Sequence, residues 1–453
     1  MKANLSMFSK IIILTSIFIN SAFADAPIIR VSLKEILDRG PHLNDDVKNE
    51  SLNIARFVKD EQRVRAEFKP KIDITLGVGP INKAYGDAVA STNSDISEIG
   101  NWRALVVASL KGIYPLYTWG REGDLLRAAK HGQNYASAKL EGTVNSTRLK
   151  LKEIYYGVLL TNNLIEFVSE GINEVELIIE KVKKKKFKKS DLYRLNIFLN
   201  QLKSKQIEIK NKRSLALDGL KLYAGYDKSL NIHPKEEWLE HEKRKIKSLD
   251  YYQDLLVENK PELKQLEEGI EAKRLLAIGE RKSNYPNLGI LFKYEYSYTD
   301  ARQAQQSVFA YDPYNENSLI VGVGIKWDLN FGISKAKSQK INIESEQLKY
   351  KQKYAKHGFA IKVQEKWRIV KEFKIKIKNS KKANRLGKKL LSRTIIGGGI
   401  GLIKAKEVVE AYEIRAYTYK DHLENIYNYN LAWAELSLSV GTEVDPILLT
   451  KKL

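Results

Sequence analysis

Residues 319–332 read LIVGVGIKWDLNFG. Leu319, Val321, Val323, Ile325, Trp327 and Leu329 alternate with Gly322, Gly324, Lys326, Asp328 and Asn330, the period of a strand whose two faces meet different surroundings. A Lys- and Gln-rich segment follows at once and keeps a helical period for about sixty residues. A strand that turns directly into so long a helix is not the pattern of a compact domain.

The same junction occurs earlier. Ile72, Ile74, Leu76 and Val78 share one face against Asp73, Thr75 and Gly77, and residues from about 102 to 117 alternate less cleanly before PLYTWG, residues 115–120. A further strand puts Leu288, Ile290, Phe292, Tyr294, Tyr296 and Tyr298 opposite Gly289, Lys293, Glu295 and Ser297. Four strands of roughly ten residues with aromatic rings toward their ends fit the lipid-facing pattern of an outer-membrane barrel. On this reading Ile72, Ile74, Phe292, Tyr294, Tyr296, Val323, Ile325 and Trp327 face lipid, and the aromatic residues form interfacial girdles. A half-buried soluble sheet shares the alternation and stays open as an alternative.

The helical segments obey a different period. From Leu140 the positions 140, 144, 147, 151, 154, 158, 161, 165, 168, 172, 175, 179 and 182 are apolar except for Thr147 and Thr161. A second such seam runs through Leu402, Ala405, Val409, Tyr412, Ala416, Tyr419, Leu423, Ile426, Asn430 and Trp433. A spacing of 3.5 makes helices coil around one another. The two halves also correspond: Pro41 and Pro261, Pro70 and Pro286, and Gly120 and Gly332 lie at nearly constant offset, which indicates duplication of one unit.

Lys2 and Lys10, an apolar run over 11–19 and Ala22-Phe23-Ala24 read as a signal peptide, residues 1–24. An uncleaved anchor is the alternative, although the run is short for a span of roughly 20 residues. Cleavage lowers the formal charge of +22 by the two lysines, since the segment holds no acid. Export argues against nucleic acid as the partner of this surplus, and solvated helix faces account for most of it. The chain has no cysteine, so disulfides, thiolate metal sites, thiol nucleophiles and a lipid-anchored N-terminus are excluded. The six histidines show no metal-ligand spacing, neither a nucleophile elbow nor a phosphate loop is present, and the glycines of IIGGGIGL follow no strand. No catalysis, cofactor or metal is expected.

The duplicated order, the starts of the two halves (GPHLNDDV, NKPELKQL) and the stretch GLIKAKEVVEAYEIRAYTYKDHLENIYNYNLAWAELSLSVGT resemble the TolC family of outer-membrane efflux proteins over essentially the whole mature chain. The resemblance implies a mixed α and β membrane protein: a long coiled-coil α-helical barrel continuous with a 12-stranded β-barrel shared by a trimer, four strands per protomer. Residues 25–235 form the first repeat (strands about 70–79 and 102–117, hairpin tip near 183–191), and 236–453 the second (strands about 287–299 and 318–330, tip near 395–407). Strand edges are not tolerated in lipid, so four strands need partners.

By resemblance, Glu407 and Glu410, with Asp191 from the first repeat, occupy the acidic constriction at the periplasmic tip. Glutamates near a helix start also favour the macrodipole without further purpose. Lys185, Lys186, Lys188, Lys189, Gly401 and Leu402 fall where the resemblance places the tip that docks a periplasmic adaptor, with a solvated helix end as the plain alternative. Where some relatives carry a Tyr and an Arg that lock the entrance, this chain has Gly398 and Ile403, so its closing contacts must differ. The implied role is a passive exit duct for efflux or type I secretion in the outer membrane, with a large periplasmic part, driven by an inner-membrane transporter through a periplasmic adaptor (membrane fusion protein). A trimeric coiled-coil adhesin or periplasmic scaffold is the rival reading.

Overall fold

The computed structural model describes residues 28–84, 100–184, 188–241, 245–303, 309, 311–399 and 404–444. In chain order the elements are β1 (Ile28–Val31), α1 (Leu33–Leu43), α2 (Asp45–Glu67), β2 (Lys71–Asn82), β3 (Trp102–Tyr117), α3 (Arg121–Lys184) and α4 (Lys189–Ala224). They continue with β4 (Asn231–Pro234), α5 (Leu249–Asn259), α6 (Pro261–Lys282), β5 (Asn287–Tyr298), β6 (Asn317–Lys326), α7 (Ile333–Gly399) and α8 (Ala405–Val440). The signal-peptide segment lies outside the described residues. The chain forms two compact units, and each draws on both halves of the sequence: one is Leu52–Ala138 with Lys264–Tyr354, the other Met1–Ser51, Lys139–Leu263 and Ala355–Leu453.

The first unit holds a four-stranded sheet in the order β2-β3-β5-β6, antiparallel throughout. β6 stops at Lys326, although the sequence alternation runs on to Asn330. Trp327 therefore lies one residue beyond the strand and stays exposed. Its indole N–H donates to the Asn284 carbonyl at 3.0 Å, and the chain is already turning toward Phe331 and Gly332. Both strand-to-helix junctions use the same turn: Trp119 and Gly120 have φ of 58° and 72°, Phe331 and Gly332 φ of 43° and 108°. An aromatic residue in the left-handed region is costly, and the glycine beside it is free of that cost. The turn breaks strand geometry at once, which lets α3 and α7 start without a loop.

α3 continues through Gly132, a position a larger residue could not hold, because a Cβ there would lie 2.9 Å from the Phe57 ring. Near its start Asp124 is buried, and it accepts from Arg127 and from Lys282 at 2.6 Å each. Burial opposes ionisation, but these two cations outweigh it and hold the carboxyl below the usual aspartate range.

The second unit is mainly helical. α1 opens with a reciprocal cap: the Glu35 amide donates to Ser32 Oγ at 3.2 Å and the Ser32 amide to Glu35 Oε2 at 2.7 Å. Its Gly40 allows close approach, since a Cβ would meet Leu151 at 2.9 Å and the Ala224 backbone at 3.3 Å. β1 pairs in parallel with β4, and Ile36, Leu151, Tyr155, Leu220, Ile232, Val363, Val370, Trp433 and Leu436 share the main core. Every described position of both 3.5-residue seams is buried or half-buried. Lys152, only 2% exposed, donates to both oxygens of Glu443 at 2.9 and 2.8 Å, so its charge is paired where it is buried.

Since the Asp124 carboxyl is held below its ordinary range, its contribution is present above the unfolded aspartate value and is lost as pH falls through the folded one. Asp124→Asn is expected to cost about 2 kcal/mol at pH 7, with the gap to the unaltered chain closing in acid. Thermal unfolding of both proteins across a pH series measures it; a gap that persists in acid contradicts the account.

Candidate functional site

The register assigns every strand residue to a face. Ile74 lies opposite Leu110, Leu110 opposite Tyr294 and Tyr294 opposite Leu319, and the neighbouring rungs put Val78, Val106 and Tyr298, or Phe292 and Val321, on that same side. This face carries no charged side chain in any of the four strands. Ile72, Ile74, Val323 and Ile325 are largely exposed on it, Tyr296 is 37% exposed, and Phe292 and Tyr294 are half-buried. Phe292 covers Gly112, where a Cβ would stand 2.0 Å from two ring carbons.

All the strand charges lie on the other face: Lys71, Arg103, Lys111, Lys293 and Lys326 against Asp73 and Glu295. Lys111 and Lys293 are directly opposite each other, an arrangement like charges disfavour. Glu295 lies between them, 3.3 Å from Lys111 and 2.5 Å from Lys293, and relieves the repulsion. The sequence alternation separated these faces but left the bridging role of Glu295 unseen.

The helical ends are less tightly organised. Asp191 lies half-buried in the first turn of α4, just after the exposed Lys188 and Lys189. Glu407 and Glu410 are exposed one turn apart on α8, and Glu410 pairs with Lys406 at 3.6 Å, an exposed contact worth little. Lys185, Lys186, Gly401 and Leu402 lie outside the described residues, as does Ile403, while Gly398 falls in the last turn of α7.

A better-made contact lies further along the same helices. The Tyr412 hydroxyl of α8 donates to Glu174 of α3 at 2.6 Å. Burial, reinforced by the carboxylate, pushes the Tyr412 phenol far up, so it stays a donor at any ordinary pH. Arg415 stacks on Phe167 of α3 and Tyr419 of α8, 5.2 and 4.9 Å from the ring centres, and touches Asn384 of α7. Phe167 and Tyr419 stack at 4.5 Å. Between these contacts is a cavity of about 450 Å³ lined from α3, α4, α7 and α8, with Phe198 and Leu391 among its walls. The seam pattern marked Tyr412 and Tyr419 as packing residues; nothing in it singled out Glu174 or Arg415.

No family model matches the sequence, and no curated protein matches it. Solved structures do. The CmeC outer membrane channel of Campylobacter jejuni aligns at TM-score 0.72 and 13% identity over 90% of this chain and 85% of its own. The chain has the TolC-family fold. The MtrE outer membrane channel of Neisseria gonorrhoeae, in its open state, gives a TM-score of 0.71 at 13% identity, covering 91% and 89%. The outer membrane protein VceC of Vibrio cholerae gives 0.72 at 12%, covering 91% and 97%. Among the described residues no helix is long and apolar enough to cross a membrane, and no group of three His, Asp or Glu could hold a metal ion.

Phe292 over Gly112 offers a test of the register. Gly112→Val is expected to destabilise the sheet by roughly 1–3 kcal/mol through overpacking. Phe292→Ala in the same chain should restore part of that loss, measured as unfolding temperature in detergent. If the double variant is as unstable as the sum of the singles, the two positions do not meet.

Proposed function

We propose that this chain is an outer-membrane exit duct for efflux or type I secretion, working as a homotrimer and opened at its helical tip. The observation that carries this reading is the partition of the sheet: an uncharged apolar face backed by a face bearing every strand charge, with β2 and β6 left as edges. Lipid on one side and water on the other satisfies both faces. Edge amides and carbonyls cannot be left unpaired in lipid, so three sheets joined β6 to β2 give a closed cylinder of twelve strands. Matching turns at Gly120 and Gly332 support descent from a duplicated unit.

Four strands interleaved with helices favour this duct over an adhesin or scaffold, whose strands would gather at one end of the chain. Channel relatives point to transport without catalysis. Movement of cargo then depends on an inner-membrane transporter and a periplasmic adaptor. α7 carries 20 Lys and Arg against four Glu, a surplus complementary to an adaptor with acidic side chains. Lys185, Lys186, Lys188 and Lys189 add to that charge in the sequence, and Gly401 and Leu402 are the uncharged residues assigned to the same docking role.

The contact of Tyr412 with Glu174 and the slot holding Arg415 serve as this chain's closing latch, in place of the Tyr and Arg absent at Gly398 and Ile403. Glu407, Glu410 and Asp191 form the acidic constriction. Opening would shear the α7–α8 hairpin past α3 and α4, and the cavity between them lowers the packing lost in doing so.

Nitroxide labels along β6 test the membrane reading. Positions 319, 321, 323 and 325 should be reached by oxygen, and 318, 320 and 322 by a water-soluble relaxant; uniform wetting of both sets would end it. Tyr412→Phe with Glu174→Gln is expected to remove about 2 kcal/mol of closing free energy, roughly thirtyfold in the closed-to-open ratio. Single-channel recording should show longer openings, and Glu407→Gln with Glu410→Gln should weaken the effect of divalent cations. Unchanged traces in each case would remove the latch and the constriction respectively.

A further inference from the structure

At the end of the charged sheet face, where the strands meet α2 and α3, lies a second cavity of about 230 Å³. Lys71 from β2, Lys326 from β6 and Arg121 from the first turn of α3 all line it. Arg121 packs its guanidinium against the Phe68 ring at 5.8 Å, and its Nε–H is buried without a hydrogen-bond partner. A buried donor without a protein acceptor is available to an acceptor that a ligand brings.

Two carboxylates share the lining, and neither completes it. Glu67 accepts from Arg63 at 2.8 Å, which adds another cation nearby, and Asp328 stays 3.9 Å from Lys326 and exposed. The floor is apolar and open: Ile113 and Leu291 border Gly289 and Gly324, and the Cβ absent from Gly324 would lie 2.8 Å from Leu291. Lys71, Ile113, Leu291 and Lys326 all belong to the charged face of the sheet. That same face carries five bases against two acids along its strands.

We propose that Lys71, Arg121 and Lys326 form an anion-binding site on the water-facing wall of the duct, so that the sheet end of the pathway favours anionic solutes. The inference rests on the duct reading, which makes the charged face the lumen. In a trimer the site occurs three times around one axis, where rings of like charge raise the local concentration of counter-ions and set selectivity. A carboxylate or sulfate oxygen would accept from the free Arg121 Nε–H, while the ammonium groups of Lys71 and Lys326 balance its charge. Cargo with an anionic group and an apolar body fits the cavity's two kinds of wall.

Purified full-length protein in planar bilayers under a potassium chloride gradient tests it. Lys71→Gln, Arg121→Gln and Lys326→Gln together should lower the chloride-to-potassium permeability ratio relative to the unaltered pore. Sodium sulfate added to both chambers should reduce current through the unaltered pore and lose that effect in Arg121→Gln. A pore whose ratio is unmoved by the triple substitution, or by Lys71→Gln with Lys326→Gln should the triple chain fail to insert, overturns the site. So does a pore indifferent to sulfate. A chain that forms no pore at all removes the duct reading first, and the anion site falls with it.

Discussion

Side chains along a strand alternate with a period of two, so once the register between neighbours is fixed, the face of every residue is fixed with it. A slip of one residue between β3 and β5 would bring Lys293 and Glu295 onto the apolar face with Ile74 and Leu110 and would take Glu295 away from Lys111. The present register places Glu295 between Lys111 and Lys293, and it seats Phe292 over Gly112. Electrostatics on one face and steric fit on the other thus specify the same pairing. The junctions inherit this constraint, because α3 and α7 leave the sheet where the strands end, through the paired left-handed residues at 119–120 and 331–332.

The helices reach stability by another route. A chain of this length would usually gather one or two rounded cores, whereas here burial is distributed along seams of 3.5-residue spacing, with the largest cluster built around Leu151, Tyr155 and Trp433. Such a seam tolerates long elements because each turn needs only its immediate neighbours. It also leaves apolar side chains uncovered on a single copy: Tyr350, Tyr354, Ile361 and Ile375 of α7 are all more than 60% exposed. Those residues recur near the heptad interval on the side away from Val363, Val370 and Ile377, so α7 carries a second apolar stripe.

Much of the architecture was legible because both periods are strong. Alternation marked β2, β3, β5 and β6 and the 3.5-residue spacing marked α3 and α8, whereas the short β1 and β4 are too brief to show a period. Alternation overran β6 at Trp327, since a residue can continue a pattern of polarity after the backbone has left the ladder; the hydrogen bond to Asn284 is invisible to any count of apolar positions. The candidate site was less readable for a related reason. Glu174 and Arg415 lie about 240 positions apart, and each is an ordinary charged residue on its own helix. Only packing of α3 against α8 gives them a shared neighbourhood, and the pattern had already assigned Tyr412 and Tyr419 to packing. Lys71, Arg121 and Lys326, the residues of the proposed anion site, escaped for the same cause, since they come from three elements.

The proposed latch has a strength suited to a gate that something else must open. A hydrogen bond from a neutral hydroxyl to a carboxylate contributes about 1.5–3 kcal/mol, and an arginine between two rings adds roughly 0.5–2. Per protomer this favours the closed arrangement by a few kcal/mol, and a partner binding the open form with about 5.5 kcal/mol of preference would reverse a population of 1:99. A buried ion pair in place of Tyr412 and Glu174 would hold more firmly, yet breaking it would strand a charge at a cost of about 3–5 kcal/mol. Tyr412 avoids that, because its phenol is neutral in both arrangements and Glu174 faces solvent already. Arg415 keeps Tyr419, on its own helix, as a partner after separation from Phe167. The contacts chosen are therefore ones whose rupture leaves little unsatisfied, which lets closure be specific without being permanent.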